Sequence, residues 1–389
     1  MTLTFFSNYF NHHQKALCDA FYSLLGEGFT FVETEPIEEF RSQMGWGKEE
    51  IPSYVLKSHL NAENLNKAFE LGEKSDVVIM GTAPEEMIFK RLDENKLTFR
   101  YSERPLKEGK IKVLIPRLAK KFYINHYRNR NKRIYILAAG AYTAADYKFM
   151  HSYINKCYKF GYFPEGEKND LEVLRELKRK NRPAKILWAG RFLKLKRPDL
   201  FIKAAKNCMD AGLDFTIDFV GGGEEEENIK ALAASLGLSG RISYSGYLSP
   251  EETRQKMREA NIFVMTSNNL EGWGSVIYEG LSSGCAVIAS HAAGATPFLI
   301  EQGKTGYAFK SGSVASLTEK LMILLKDGKL AERIGEAAYN NMKNEWNPRV
   351  AAERLIRLAE ALEKGEECPY TKGPLSPCEL IGMNWIKDK

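Results

Sequence analysis

Ile262-Phe-Val-Met265 runs into a polar loop, Thr266 to Leu270, and then into Glu271-Gly-Trp-Gly-Ser-Val-Ile-Tyr-Glu279. A short apolar run ahead of a polar loop and a helix-forming stretch is one step of a parallel α/β layer, whose buried strands read as continuous apolar segments. The pattern predicts a strand over 262–265 and a helix beginning near Ser275. Gly272 and Gly274 then let backbone amides approach a ligand closely, at a helix N-terminus where free N–H groups and the dipole favour a phosphate. Glu271 stays in the loop, and Glu279, about one turn further in, stands beside the same mouth. Carboxylates accept hydrogen bonds from vicinal hydroxyls and repel phosphates, so two of them beside a phosphate site fit a ligand that also carries a sugar. The sequence therefore points to a nucleotide sugar, with a capped helix and a solvated glutamate as the plain alternative.

The same step repeats outward. In the second half, Ile186–Ala189, Phe215–Val220, Ile242–Tyr244, Ala286–Ala289 and Tyr307–Phe309 read as further strands. The helices among them have visible ends: Pro198 in a first turn, Gly212 after a last one, and Ser249-Pro-Glu-Glu252 as a capping box. This is a Rossmann-like unit. The first half repeats the alternation less cleanly, with strands expected at Leu3–Phe6, Phe29–Val32, Val77–Met80, Thr98–Tyr101 and Ile134–Ala138. A chain of 389 residues exceeds what one core usually serves, so two such domains are expected. Gly161 to Pro164 breaks the pattern, and Glu165 to Arg182 reads as linker plus a surface helix. The expected organisation is an N-terminal domain at 1–165, a C-terminal domain at 166–345, a helix at 346–365 returning to the first domain, and a tail at 366–389 whose structure is left open.

Composition narrows the function. No apolar run approaches the roughly 18 residues of a membrane span. The start of the chain, interrupted by Asn8, Asn11, His12 and His13, lacks the form of a secretory signal, so a cytoplasmic location is expected. Cys18, Cys157, Cys208, Cys285, Cys368 and Cys378 show no C-x-x-C spacing, which argues against zinc, iron–sulfur and disulfide frameworks. The formal charge of +6 is unevenly placed. Between 104 and 133, Arg104, Lys107, Lys110, Lys112, Arg117, Lys120, Lys121, Arg128, Arg130, Lys132 and Arg133 face Glu108 alone. That segment calls for an anionic partner, and an anionic membrane surface is one candidate, reached through a helix whose start Pro116 restricts. A solvated face is the plain alternative.

The segment Glu271 to Glu279 resembles the E-x7-E motif of family 4 of the retaining glycosyltransferases, the glycosyl transferases group 1 of bacterial type. Gly190-Arg-Phe-Leu-Lys-Leu-Lys196 is similar to that family's G-R-x4-K loop, and Val220-Gly-Gly-Gly223, Tyr244-Ser-Gly-Tyr-Leu248, Asn261-Ile-Phe-Val264, Ser283-Gly-Cys-Ala-Val287 and Gly303-Lys-Thr-Gly306 fall in matching order. The resemblance covers about 185–357. It implies an α/β fold of the GT-B type, two Rossmann-like domains facing each other across a cleft, with the acceptor domain first and the donor domain second. It further implies that Arg191 and Lys196, beside Gly190, neutralise the donor diphosphate, that Glu271 contacts the transferred sugar and that Glu279 holds the ribose. The backbone of Gly272, Trp273, Gly274, Ser275 and Val276 would take phosphate or sugar oxygens, and that of Tyr247 and Leu248 would read the base. Two fixed cations can stabilise a departing diphosphate without a metal, so neither metal nor cofactor is expected.

The first domain resembles the family more weakly. Ser7-Asn-Tyr-Phe-Asn-His-His-Gln14 stands where related enzymes carry a loop that is often rich in glycine; here it has none, and Asn11, His12 and His13 are expected on the acceptor side, with a plain helix cap as the alternative. Adjacent residues do not share one helix face, so at most one histidine of the two is expected to be essential. Where the family often places a histidine, this chain reads Tyr101-Ser-Glu-Arg-Pro105, and Glu103 with Arg104 either replaces it or forms an ordinary ion pair. Other signals carry less. Gly303-Lys304-Thr305 is not a phosphate loop, because that motif needs glycine where Phe298 stands. Glu224 to Glu227 place acids where a dinucleotide pyrophosphate would bind after Gly221-Gly-Gly223.

The reading is a metal-independent, retaining transfer from a nucleotide-diphosphate sugar, with UDP as the guessed carrier, to a glycan or lipid-linked acceptor in polysaccharide biosynthesis. Nucleic acid is not an expected partner. A nucleotide-sugar epimerase of the same fold and a non-enzymatic sugar-binding protein are the rivals; the first would need proton-abstracting groups, and the second has no use for paired phosphate cations.

Overall fold

The computed structural model describes residues 1–37, 50–168 and 170–386. The chain divides into two compact units, Met1–Glu165 with Trp346–Gly382, and Gly166–Glu345 with Met383–Lys389.

The first unit is built on seven parallel strands: β1 Leu3–Ser7, β2 Phe29–Glu33, β3 Val55–Lys57, β4 Val77–Met80, β5 Thr98–Ser102, β6 Ile134–Ala138 and β7 Cys157–Lys159. They lie in the order β3-β2-β1-β4-β5-β6-β7. β1, β4 and most of β2 and β6 are buried and almost wholly apolar, as strands covered by helices on both faces must be. β3 and β7 escape the sequence reading because each is a three-residue edge strand ending in lysine, without a wholly apolar run to mark it. The helix Pro348–Lys364 buries Ala351, Ala352, Leu355, Leu358 and Ala359 in this unit and ends on Gly365 at φ 75°. Beyond it, residues 375–378 run along the outer edge of β7: Leu375 N–H donates to Lys159 O at 2.7 Å and Cys378 N–H to Cys157 O at 2.8 Å, with an antiparallel bridge between Tyr158 and Pro377. A tail without period is thus held along an edge strand, whose outer backbone groups it bonds.

The second unit has β8 Ala184–Ala189, β9 Phe215–Val220, β10 Ile242–Gly246, β11 Ile262–Met265, β12 Ala286–Ser290 and β13 Tyr307–Phe309, all parallel, in the order β10-β9-β8-β11-β12-β13. This is the doubly wound order, in which the connections leaving β8 and β11 depart to opposite faces and open a crevice at the carboxyl ends. Pairing between those two strands stops after Ile262 with Ile186 and Phe263 with Leu187. β8 meanwhile stays paired with β9 through Ala189 and Val220. The two strand ends therefore splay apart. Trp188, Phe192, Phe201 and Phe219 fill the space beneath with ring centroids 5.1–5.6 Å apart. Pro198 opens its helix, Gly212 closes it at φ 76°, and Ser249 with Glu252 forms the capping box. Cys18, Cys157, Cys208 and Cys285 are buried free thiols, and Cys368 and Cys378 are partly buried ones. Among the described residues no helix is long and apolar enough to cross a membrane.

The glycines after β9 let the strand ends approach. Gly221 sits at φ 118°, and a Cβ there would lie 2.1 Å from the Gly190 carbonyl oxygen. Gly221→Ala combines left-handed backbone strain with a backbone clash, and should lower stability in denaturant titration by about 2–4 kcal/mol. A change under about 0.5 kcal/mol would mean that the ends of β8 and β9 can part freely.

Candidate active site

The loop leaving β8 and the loop leaving β11 are tied together across the splayed ends. Trp188 Nε1–H donates to Thr266 Oγ1 at 3.0 Å, and the Thr266 hydroxyl donates to Lys196 O at 2.6 Å. Asn268 N–H adds a bond to Leu195 O at 2.8 Å. The first loop is thereby fixed by its backbone, and its side chains are left for other work. Lys196 closes a short 3-10 turn, Lys194–Lys196, ahead of Arg197 at φ 50°. Its ammonium lies 2.5 Å from the Glu271 carboxylate, which also accepts from Ser267 Oγ at 2.8 Å. Arg191 is exposed and has no acidic partner among the described residues. One cation is thus paired and the other is unengaged.

Glu271 begins the turn that leads into the helix Ser275–Ser282. Its N–H donates to Asn268 O at 3.1 Å, and Gly272 O and Trp273 O accept from Gly294 and Ala295 at 3.1 and 3.0 Å, so the turn is braced from behind. Trp273 is buried, and Gly274 caps the helix at φ 92°, where a Cβ would press on Met265 at 2.9 Å. The backbone of Gly272 to Val276 reaches the helix start as the sequence expects, and N–H groups of a first turn lie outside the helical ladder. Glu279 is partly buried on the next turn, with no hydrogen-bond donor or cation on its carboxylate among the described residues. Burial raises its pKa to about 7, with the charge of Arg254 pulling the other way. An unsatisfied, partly desolvated carboxylate is costly unless something comes to donate to it.

On the other side of β8, Gly221 N–H donates to Gly246 O at 2.7 Å and holds the end of β10 close. The Tyr247 ring, 64% exposed, lies over Gly222, where a Cβ would meet it at 2.7 Å. Tyr247 and Leu248 follow directly on β10, at the same carboxyl edge as Gly190 and Glu271. Among the described residues no three His, Cys, Asp or Glu side chains converge as metal ligands would.

The first unit carries the remaining expected residues. Asn11 is the N-cap of the helix His12–Leu25: its Oδ1 accepts from His13 N–H at 2.9 Å, and its Nδ2 donates to Gln14 at 3.2 Å. The His12 and His13 rings lie 4.0 Å apart, contrary to the expectation that adjacent histidines part company. The cause is their place in the first turn, where side chains lean back past the cap and no preceding turn separates them. The preceding loop hangs on Glu33, a buried carboxylate that sequence reasoning missed. It accepts from Phe10 N–H at 2.9 Å and meets His59 Nε2 at 3.1 Å. An acid at the end of an apolar strand was the available signal. Glu103 and Arg104 do not pair with each other. Arg104 binds Asp146 through two nitrogens at 3.1 and 3.2 Å, and Glu103 accepts from Tyr162 at 3.2 Å and faces Lys107 at 3.4 Å. Neighbours along an extended strand end point to opposite sides, which rules out the ion pair.

Residues 170–341 match the family model described as glycosyl transferases group 1. Among curated proteins, the sulfoquinovosyl transferase SQD2 of Arabidopsis thaliana is 32% identical over 148 residues, 37% of this chain and 28% of that protein. The lipopolysaccharide core biosynthesis glycosyltransferase LpsE of Rhizobium meliloti is 25% identical over 173 residues, 44% of this chain and 48% of its own length. The aligned region thus spans half or less of these relatives. Among solved structures, Anabaena Alr3699/HepE in complex with UDP superposes with a TM-score of 0.67 at 16% identity, covering 94% of this chain and 100% of that one. A glycosyltransferase from Rickettsia africae gives 0.65 at 17%, covering 94% and 99%. The fold is that of these glycosyltransferases, GT-B.

The bond from Trp188 through Thr266 to Lys196 O is the part of this arrangement most open to test. Thr266→Val keeps the shape and leaves a buried indole N–H and a carbonyl unpaired, so stability should fall by about 1–3 kcal/mol in denaturant titration. An unchanged midpoint would show that the loop is held by its other contacts.

Proposed function

We propose, from the match of residues 170–341 to the glycosyl transferases group 1 model, that this chain is a retaining glycosyltransferase acting on a nucleotide-diphosphate sugar, with UDP as carrier, and a glycan or lipid-linked acceptor. The observation that carries the reading is the Lys196–Glu271 contact at the carboxyl ends of β8 and β11, the place where an open parallel sheet binds its ligand. UDP bound to the Anabaena structure supports the choice of carrier.

In this reading Lys196 leaves Glu271 for the doubly charged diphosphate, and Arg191 joins it. Glu271 is then released to accept from hydroxyls of the transferred sugar. The partnerless carboxylate of Glu279 accepts from the ribose hydroxyls, and first-turn amides near Ser275 and Val276 take phosphate or sugar oxygens. The bond from the anomeric carbon to the phosphate oxygen breaks, and its electron pair stays on the diphosphate, where the two cations stabilise it. The acceptor oxygen bonds to the same face of the sugar. Its proton passes to the departing phosphate oxygen, so no strong protein base is needed and configuration is retained. Asn11, His12, His13, Glu103 and Arg104 are assigned to the acceptor side.

Calorimetric titration with UDP, GDP and ADP in excess EDTA tests the donor assignment. UDP should bind at least about tenfold more tightly than the others, a difference of about 1.4 kcal/mol, with no loss in EDTA. Binding that vanishes in EDTA and returns with magnesium or manganese would overturn the role given to Arg191 and Lys196.

The two carboxylates should separate. Glu279→Ala should weaken UDP by about one to two decades, the loss of roughly 1.5–3 kcal/mol of charge-assisted hydrogen bonding. Glu271→Ala should lower turnover while leaving UDP affinity nearly intact. Because the Glu279 pKa is near 7 and its ionised form is the better acceptor, nucleotide binding should expel a proton below that pH. UDP affinity should accordingly rise as pH rises from about 6 to 8, and rise less in Glu279→Gln, with the ionisation of the diphosphate common to both. Equal losses of UDP affinity in both alanine variants would reject the assignment.

A further inference from the structure

The structure sorts the basic side chains of 104–133 into two groups. Arg104, Lys107, Lys112, Lys132 and Arg133 pair with Asp146, Glu103, Glu108, Asp93 and Glu363. Lys110, Arg117, Lys120, Lys121, Arg128 and Arg130 have no acidic partner among the described residues, Arg130 instead reaching the carbonyl and ring of Tyr127. Interleaved with this second group are large apolar side chains left in water: Ile111 is 72% exposed, Leu114 75%, Ile115 45%, Leu118 39% and Tyr123 55%. They occupy a 3-10 turn, Lys110–Leu114, and the helix Pro116–Asn125 that Pro116 opens. Val113 and Phe122 pack against the core of the first unit, which anchors the segment and leaves Leu118, one turn before Phe122, at the edge of the buried face. Ile111 and Leu114 are exposed on the 3-10 turn and Ile115 and Leu118 where the helix opens, so a short ridge of apolar side chains stands in water around the junction of the two. Lys110 Nζ lies 4.6 Å over the ring of Phe149, itself 43% exposed, and extends it.

Unpaired cations call for an anionic partner, and an apolar ridge calls for one with an apolar interior within reach. A soluble anion satisfies only the first demand. An anionic lipid leaflet satisfies both, with phosphates at the depth of the Lys and Arg head groups and acyl chains where Ile and Leu reach. We propose that the ridge 110–123 docks this chain on an anionic lipid surface, the helix Pro116–Asn125 lying in the plane of the interface and Tyr123 at head-group level. This goes beyond the transfer reading and does not depend on it.

Flotation of the full chain with vesicles tests the proposal, with pure phosphatidylcholine compared against phosphatidylcholine mixed with phosphatidylglycerol. Binding is expected to the mixed vesicles at low salt, to be lost at about 0.5 M salt, and to be slight with the neutral ones. Each cation near the leaflet contributes about fivefold, so Lys120→Glu with Lys121→Glu should weaken binding by at least about 25-fold. Ile111→Ser, Leu114→Ser and Leu118→Ser together should weaken it at least about tenfold with the charge intact. All five positions are exposed, and an unchanged unfolding temperature shows that the variants fold. Absence of flotation with the mixed vesicles overturns the proposal. So does an apolar variant that floats like the parent, which would mean charge attraction alone. A parent that is larger in solution than the apolar variant would make the ridge an interface between two copies, and overturns it as well. UDP titration on the same samples keeps the two readings apart: vesicle binding without UDP binding would count against glycosyl transfer only.

Discussion

β8 and β11 stay hydrogen-bonded for only two residue pairs, Ile186 with Ile262 and Leu187 with Phe263, and the chemistry of the second unit grows from the gap that follows. Two parallel strands whose connections leave to opposite faces cannot cover their own carboxyl ends. Polar side chains and backbone must span the opening. Trp188, near the carboxyl end of β8, does so with its indole N–H, the Thr266 hydroxyl passing the link on to Lys196 O. The loops become rigid without engaging the side chains of Arg191 or Glu279. Gly221 closes the opposite flank, since only a residue without Cβ lets the end of β9 touch Gly190.

The charges of the site are distributed unequally, and the inequality has physical content. Lys196 and Glu271 neutralise each other at 2.5 Å, with Ser267 satisfying a further lone pair of the carboxylate. Such a pair is kept because separating it would strand two charges in a partly dry place. Glu279 receives no such help, and its carboxyl responds by holding its proton up to about pH 7. A group in that condition is poised to accept from a neutral donor such as a hydroxyl. Arg191 stands in water with no acidic partner among the described residues. The arrangement is a resting one in which the electrostatic cost is smallest at the exposed cation and largest at the unpartnered acid.

The first unit handles polar groups differently. Glu33, Asn11 and Gln14 bond within the loop after β1, and Arg104 is held by Asp146. What is left over lies on the surface, as the basic and apolar ridge between Lys110 and Tyr123. The two units share a strand order and differ in where their uncompensated groups stand.

Strand identity and order of elements were legible in the sequence wherever burial was complete, because a parallel strand covered on both faces must be apolar throughout. Val77–Met80 and Ile262–Met265 have the bounds their apolar runs predict, and Ser249 caps its helix because side chain and backbone bond within four residues. The helix start at Ser275 was equally local, set by Gly274 before it. β3 and β7 were not legible, since each is a three-residue edge strand ending in lysine and, unlike the apolar β13, carries no pattern of its own. The same holds for the strip 375–378, which is ordered only because β7 offers free backbone groups. Partnership was the other thing left to the tertiary structure. Lys196 with Glu271, Arg104 with Asp146 and Phe10 with Glu33 join residues 75, 42 and 23 positions apart. A charge in the sequence has a type but no neighbour. Only the folded chain decides which are paired and therefore quiet, and which, like Glu279 and Lys120, remain unsatisfied and available to a ligand or a surface.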